Sequence, residues 1–147
     1  MQDHNKLLLI LALAIGCSTA PAAAEDFPRQ SYEGAPNGVA APFVGSWSLG
    51  FPQPEGTIVA ETIIGCDEPV RIEATGDYGV AFTTPAMGAP IAYELSEFEG
   101  RTTWFPADAS PTVIAVWLTP DSFHYYVTNM GKADWENPQL MQRCPAA

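Results

Sequence analysis

Residues 91–129 read IAYELSEFEGRTTWFPADASPTVIAVWLTPDSFHYYVTN. Ile91, Tyr93 and Leu95 alternate with Ala92, Glu94 and Ser96, the period of two that places apolar side chains on one face of a strand. Glu99 and Gly100 then supply a turn, and Arg101 to Phe105 continues in extended register. Val113 to Leu118 is apolar on both faces, which suits a strand packed tightly on each side. Phe123, Tyr125 and Val127 alternate with His124, Tyr126 and Thr128. Turn chemistry at Ala107–Pro111 and Thr119–Ser122 separates these runs.

Upstream of this block the same grammar holds. Trp47, Leu49 and Phe51 alternate with Ser46, Ser48 and Gly50, and Thr57 to Ile64 is rich in β-branched residues. Val70, Ile72 and Ala74 alternate with Arg71, Glu73 and Thr75, and Tyr78, Val80 and Phe82 with Gly79, Ala81 and Thr83. Gly76 with Asp77, and Pro85 to Pro90, are the intervening turns. About eight short strands without a helical period predict an all-β fold, a small antiparallel barrel or sandwich. The one helical element expected is a short turn between Lys132 and Gln142. Residues 25–42, rich in Pro, Gly, Ala and Ser, read as a flexible leader to a single domain spanning 43–147.

The first residues carry Lys6, an apolar run from Leu7 to Ile15, and the small residues Ala22, Ala23 and Ala24 before Glu25. This is the order of an export signal, residues 1–24, and its greasy segment is too short to span a bilayer. Cleavage after Ala24 competes with a second route, because Ala14, Ile15, Gly16 and Cys17 resemble a relaxed bacterial lipobox in which Cys17 is lipidated. Either route leaves Cys66 and Cys144 as the remaining thiols. In an oxidising compartment, periplasmic or extracellular, they are expected to pair across a loop of about 78 residues. No later stretch is long and apolar enough for a transmembrane segment.

The net charge is -11, and Lys6 cancels Asp3, so loss of the signal leaves it unchanged. Such a chain repels nucleic acid and anionic lipid. A partner steered by electrostatics is a basic protein; otherwise the charge serves solubility.

Gly45, Ser46 and Trp47 resemble the Gly-x-Trp signature of the calycins, the superfamily of lipocalin- and avidin-type up-and-down barrels. The resemblance implies a closed barrel rather than a sandwich, with Trp47 closing one end and Arg143 lying across it. It also implies a small apolar ligand as one class of cargo.

Equipment for catalysis is sparse. His124 is the single histidine outside the N-terminal region, no Gly-x-Ser-x-Gly elbow is present, and the ring is expected at the surface or lining a pocket. One His without neighbouring thiolates falls short of a zinc site. Glu94, Glu97 and Glu99 read as a solvated acidic rim, or else as the carboxylates of a hydrolase. Asp67, Glu68 and Asp77 lack the spacing of a calcium loop. No cofactor is implied, since phosphate-loop and dinucleotide fingerprints are missing. Aromatic residues cluster instead: Trp104, Phe105, Trp117, Phe123, Tyr125 and Tyr126 either fill the core or line a cavity. Trp104, Trp117, His124 and Tyr126 are the candidate ligand or partner face. The reading that follows is a non-enzymatic binding or inhibitor-like module of the cell envelope. A carrier of a small apolar ligand and a carboxylate-based hydrolase are the alternatives.

Overall fold

The computed structural model describes residues 27–52 and 62–146, so the signal segment, the cleavage site after Ala24 and Cys17 lie outside the described residues. Ten strands are present among them. They are β1 (Gly45–Gly50), β2 (Thr62–Ile64), β3 (Val70–Gly76), β4 (Gly79–Thr83), β5 (Ile91–Phe98), β6 (Arg101–Pro106), β7 (Val113–Thr119), β8 (Ser122–Asn129), β9 (Lys132–Ala133) and β10 (Gln139–Arg143). All pairings are antiparallel, and eight of the strands close a barrel in the order β1-β3-β4-β5-β6-β7-β8-β10 and back to β1. β2 extends the edge of β1, and β9 forms a hairpin on the end of β8. Of the expected run Thr57–Ile64, residues 57–61 lie outside the described residues and Thr62–Ile64 is β2. No helix among the described residues is long and apolar enough to cross a membrane.

Strand alternation decides which side chains enter the barrel. Trp47, Ile72, Val80, Phe82, Tyr93, Leu95, Trp104, Val113, Ala115, Trp117, Phe123, Tyr125 and Met141 all belong to one buried cluster. An eight-stranded barrel has an interior just wide enough for its own side chains, and here aromatic rings occupy it. Phe82 and Tyr125 stack at 5.8 Å between ring centroids, and Trp104 meets Tyr93 at 5.5 Å and Tyr125 at 6.0 Å. These rings pack on one another in the barrel interior.

One end of the barrel is plugged by the 3-10 turn Ala41–Phe43. Phe43 inserts fully, stacking on Trp117 at 4.5 Å and meeting Trp104 and Phe123 edge-on. Its carbonyl accepts the indole N–H of Trp47 at 2.8 Å. Outside this plug the Arg143 guanidinium sits 4.2 Å over the Trp47 ring. It donates to the carbonyls of Val44 at 3.0 Å and Pro42 at 2.8 Å and to Asp121 Oδ1 at 2.9 Å. Gly45 makes this approach feasible. Its φ is +139°, and a Cβ there would stand 3.1 Å from Arg143 Nη1, so a side chain would be strained and crowded at once. The Gly-x-Trp pattern therefore has a local cause: the glycine admits the guanidinium that covers the tryptophan. Replacing Arg143 by Met keeps the stem but removes the donors. It is expected to cost about 1.5–3 kcal/mol of stability, the range for hydrogen bonds that involve a charged group. Arg143→Lys should recover only part, because an ammonium lacks the planar fork. Urea denaturation of the three proteins checks this.

Two expectations need correction. The helical turn sought between Lys132 and Gln142 is instead β9, a turn and β10, the strand that closes the barrel by pairing with both β1 and β8. Only Met141 of β10 is fully buried, and the strand has no β-branched residue, so its sequence carries no strand period. The described part of the leader turns at Glu33–Gly34 and Asn37–Gly38 and is docked on the barrel. Ser31 N–H donates to Gly100 O at 2.8 Å, Tyr32 N–H donates to Trp117 O at 3.1 Å, and Ala40 is buried. Backbone hydrogen bonds make these attachments, which is why a composition of small and polar residues did not announce them. Gly38, with φ +77°, passes so close to Glu97 that a Cβ would lie 2.8 Å from that residue's own Cβ.

The bridge Cys66–Cys144 is formed, with Cα atoms 5.6 Å apart. It joins the loop between β2 and β3 to the residue after β10, on either side of β1 in the sheet. Cys144 N–H also donates to Ser46 O at 2.9 Å, so the C-terminal segment is held to β1 by both links.

Candidate binding surface

The residues expected to share one face separate. Trp104 and Trp117 point into the barrel and are at most 1% exposed, whereas His124 and Tyr126 occupy the alternate positions of β8, outside the interior cluster. The cause is register. Trp117 pairs with the inward Phe123 and Val116 with His124, so neighbours on β7 and β8 alternate in and out together. His124 was expected at the surface or in a pocket, yet it is 5% exposed. Its cover is the segment before the barrel: the Phe27 ring meets it edge-on at 5.4 Å. Burial pushes the imidazole pKa down to about 4, and it pushes the Tyr126 phenol up to about 12 although Arg29 pulls the other way. Tyr125, inside the barrel, is pushed up further by burial, and Tyr93 is raised by the same cause.

Exposed aromatic surface lies elsewhere, on the outer face of β4, β5 and β6. Phe105 is 51% exposed, and its cross-strand neighbour is Glu94, which in turn pairs with Gly79. Along this row a bulky ring stands at one side, a carboxylate in the middle, and at Gly79 the sheet has no side chain at all. Thr75 leans over Gly79, where a Cβ would collide with its hydroxyl. The result is a cleft of about 320 Å³ lined by Thr75, Gly79, Ala92, Glu94, Phe105 and Pro106, among others. Phe98 is 59% exposed at the far end of β5, between Glu97 and Glu99. Glu97 accepts the Gly100 N–H at 3.0 Å, and Glu99 pairs with Arg101 at 2.9 Å. The acidic rim is thus real surface, engaged locally in its turn and open along the strand.

Other clefts among the described residues are also surface depressions, of about 230 to 460 Å³. None of these clefts has Trp104, Trp117, Phe123 or Tyr125 in its lining. Among the described residues no group of three His, Cys, Asp or Glu stands at metal-holding distance. Phe105 and Glu94 were each visible in the sequence, as an aromatic and as part of the acidic rim. What was missed is that they are partners across two strands, because alternation puts each on the outer face without fixing the register of β5 against β6. No family model matches the chain, and no curated protein or solved structure matches it either.

Proposed function

We propose that this chain is a non-enzymatic binding module of the cell envelope, acting outside the cytoplasm in the periplasm or as a secreted or Cys17-anchored protein. Its working surface is the outer face of β4–β6, and its partner is a basic protein segment that sets an apolar side chain against Phe105. The observation that carries the reading is the exposed Phe105 beside Glu94 at the rim of an open cleft. A half-exposed aromatic with a carboxylate neighbour fits the anatomy of a protein-binding patch, an apolar anchor with a charged surround. A net charge of -11 adds long-range attraction for a basic partner and speeds its arrival. A disulfide across a long loop favours a compartment that keeps thiols oxidised. Against the carrier reading, the barrel interior is filled by rings at contact distance rather than held open.

The test is capture from native envelope extract at low and moderate salt, using the wild type beside Phe105→Ser and Glu94→Gln. A protein retained by the wild type should be lost at least about ten-fold in Phe105→Ser, as for an anchor at the centre of an interface. Glu94→Gln and added salt should each weaken capture by a smaller factor. Both side chains are exposed, so neither variant disturbs the core. Recovery of a stoichiometric small molecule, with no protein sensitive to these changes, would replace this reading by the carrier.

A further inference from the structure

A second apolar cluster lies outside the barrel, against β7 and β8. Val116, His124 and Tyr126 point away from the interior, yet all three are at most 5% exposed. Their cover comes from two directions. Trp135, in the turn between β9 and β10, meets Tyr126 at 4.8 Å. The segment Phe27–Tyr32 crosses from the other side. Phe27 meets His124, and the Pro28 carbonyl accepts the Tyr126 hydroxyl at 3.1 Å. Arg29 lies 5.4 Å over the Trp135 ring, and the Arg29 carbonyl accepts from Arg101 at 3.2 Å. Farther along, Ser31 and Tyr32 bond the Trp117 backbone and Gly100, beyond the last residue of β7 that pairs with β6. The attachments are scattered hydrogen bonds and ring contacts to different elements, not a strand ladder. The segment is a strap, not a strand.

We propose that Phe27–Tyr32 is an acid-released strap, closed over the outer face of β7–β8 while His124 is neutral and lifted when that ring takes a proton. The ring is buried with one polar contact, to Tyr126, and no ion-pair partner among the described residues, a setting that favours its neutral form. Because the Tyr126 hydroxyl donates to Pro28, its oxygen is free to accept from the imidazole Nδ1 at 3.5 Å. The groups facing the ring do not welcome a cation. The strap brings Phe27, β8 brings Tyr126, and β7 and β10 bring Val116 and Leu140 as the paired neighbours, while the strap's Arg29 stands over Trp135. Arg101 of β6 adds a second positive charge over Trp135 at 5.1 Å. Glu136 lines the cleft beside Phe27, but among the described residues no carboxylate forms an ion pair with His124.

The sign follows from linkage. With the strap closed the ring titrates at about 4, and with it lifted the ring meets water and returns to its ordinary 6.5. Between those values the open form binds more protons, so closure is at full strength above pH 6.5 and is lost progressively as pH falls towards 4. From pH 7 to pH 5 the open population should rise about 20-fold.

Hydrogen exchange of the Ser31 and Tyr32 amides at pH 7 and pH 5, corrected for the intrinsic rate, reads that population. Their protection should fall about 20-fold, while the Cys144 amide, held by Ser46 away from the strap, keeps its own. In His124→Gln the fall should vanish. Independently, an NMR titration of the His124 ring should give a low pKa in the wild type and one raised towards 6.5 in Phe27→Ala, which removes the strap ring that covers the histidine and leaves the histidine itself unchanged. An equal fall in His124→Gln would overturn the proposal. So would a wild-type ring that titrates near 6.5, or a ring that stays equally low in Phe27→Ala.

Discussion

Replacing Cys66 and Cys144 together by Ala is expected to lower the melting temperature by on the order of 10–20 °C. The bridge spans 78 residues, and restricting an unfolded loop of that length is worth on the order of 4 kcal/mol in the chain-entropy account. Such a value is a large share of the net stability of any single domain. The location adds to the effect. Cys144 follows β10, the strand that closes the barrel, and the bridge fixes it to the loop leading into β3. Without it β10 keeps its ladders to β1 and β8 and the Cys144 bond to Ser46, so the barrel should still form in the cold. Thermal unfolding followed by circular dichroism, for the double variant and for the wild type with and without reductant, measures the difference. A change of only a degree or two would mean that the unfolded chain is already restricted, or that β10 needs no tether.

Which parts of this architecture were legible in the chain follows from what produces each of them. β5 and β8 announce themselves because each has one face in the barrel and one outside, so Tyr93 and Leu95, or Phe123 and Tyr125, alternate with polar or small residues. The cysteine pairing was legible from a count of two. β10 was not, because the sheet needs from it one inward residue, Met141, and a backbone ladder on both edges. A ladder leaves no trace in side-chain type. The strap was hidden for much the same reason: most of its attachments are carbonyls and amides, joined by the Phe27 ring, the Ser31 hydroxyl and the Arg29 guanidinium, spread over residues that otherwise read as linker. His124 shows the consequence for site prediction. Its own strand correctly put it on the outer face, and a segment almost a hundred residues away buried it. The β4–β6 surface was half legible, since the positions of Phe105 and Glu94 were readable but their registration across two strands was not.

Truncating Trp104 to Ala should be the most damaging single change in the interior, at about 3–5 kcal/mol. Trp104 is fully buried and lies among Phe43, Phe82, Tyr93, Phe123 and Tyr125, so its removal opens a void that five rings surround and rigid strands cannot collapse. The more discriminating comparison is between Trp104→Phe and Trp47→Phe. Both indoles are fully buried and both lose the same atoms. They differ in what the N–H does: that of Trp47 donates to Phe43 O at 2.8 Å, while that of Trp104 has no acceptor among the described residues. A buried donor left unpaired carries a penalty of about 1–3 kcal/mol, which Trp104→Phe removes along with the ring volume. Trp47→Phe instead loses a good hydrogen bond and shrinks the ring beneath Arg143. Trp104→Phe should therefore be at least about 1 kcal/mol less destabilising than Trp47→Phe. Urea unfolding of the two variants decides the matter, and equal costs would show that ring volume alone governs this barrel.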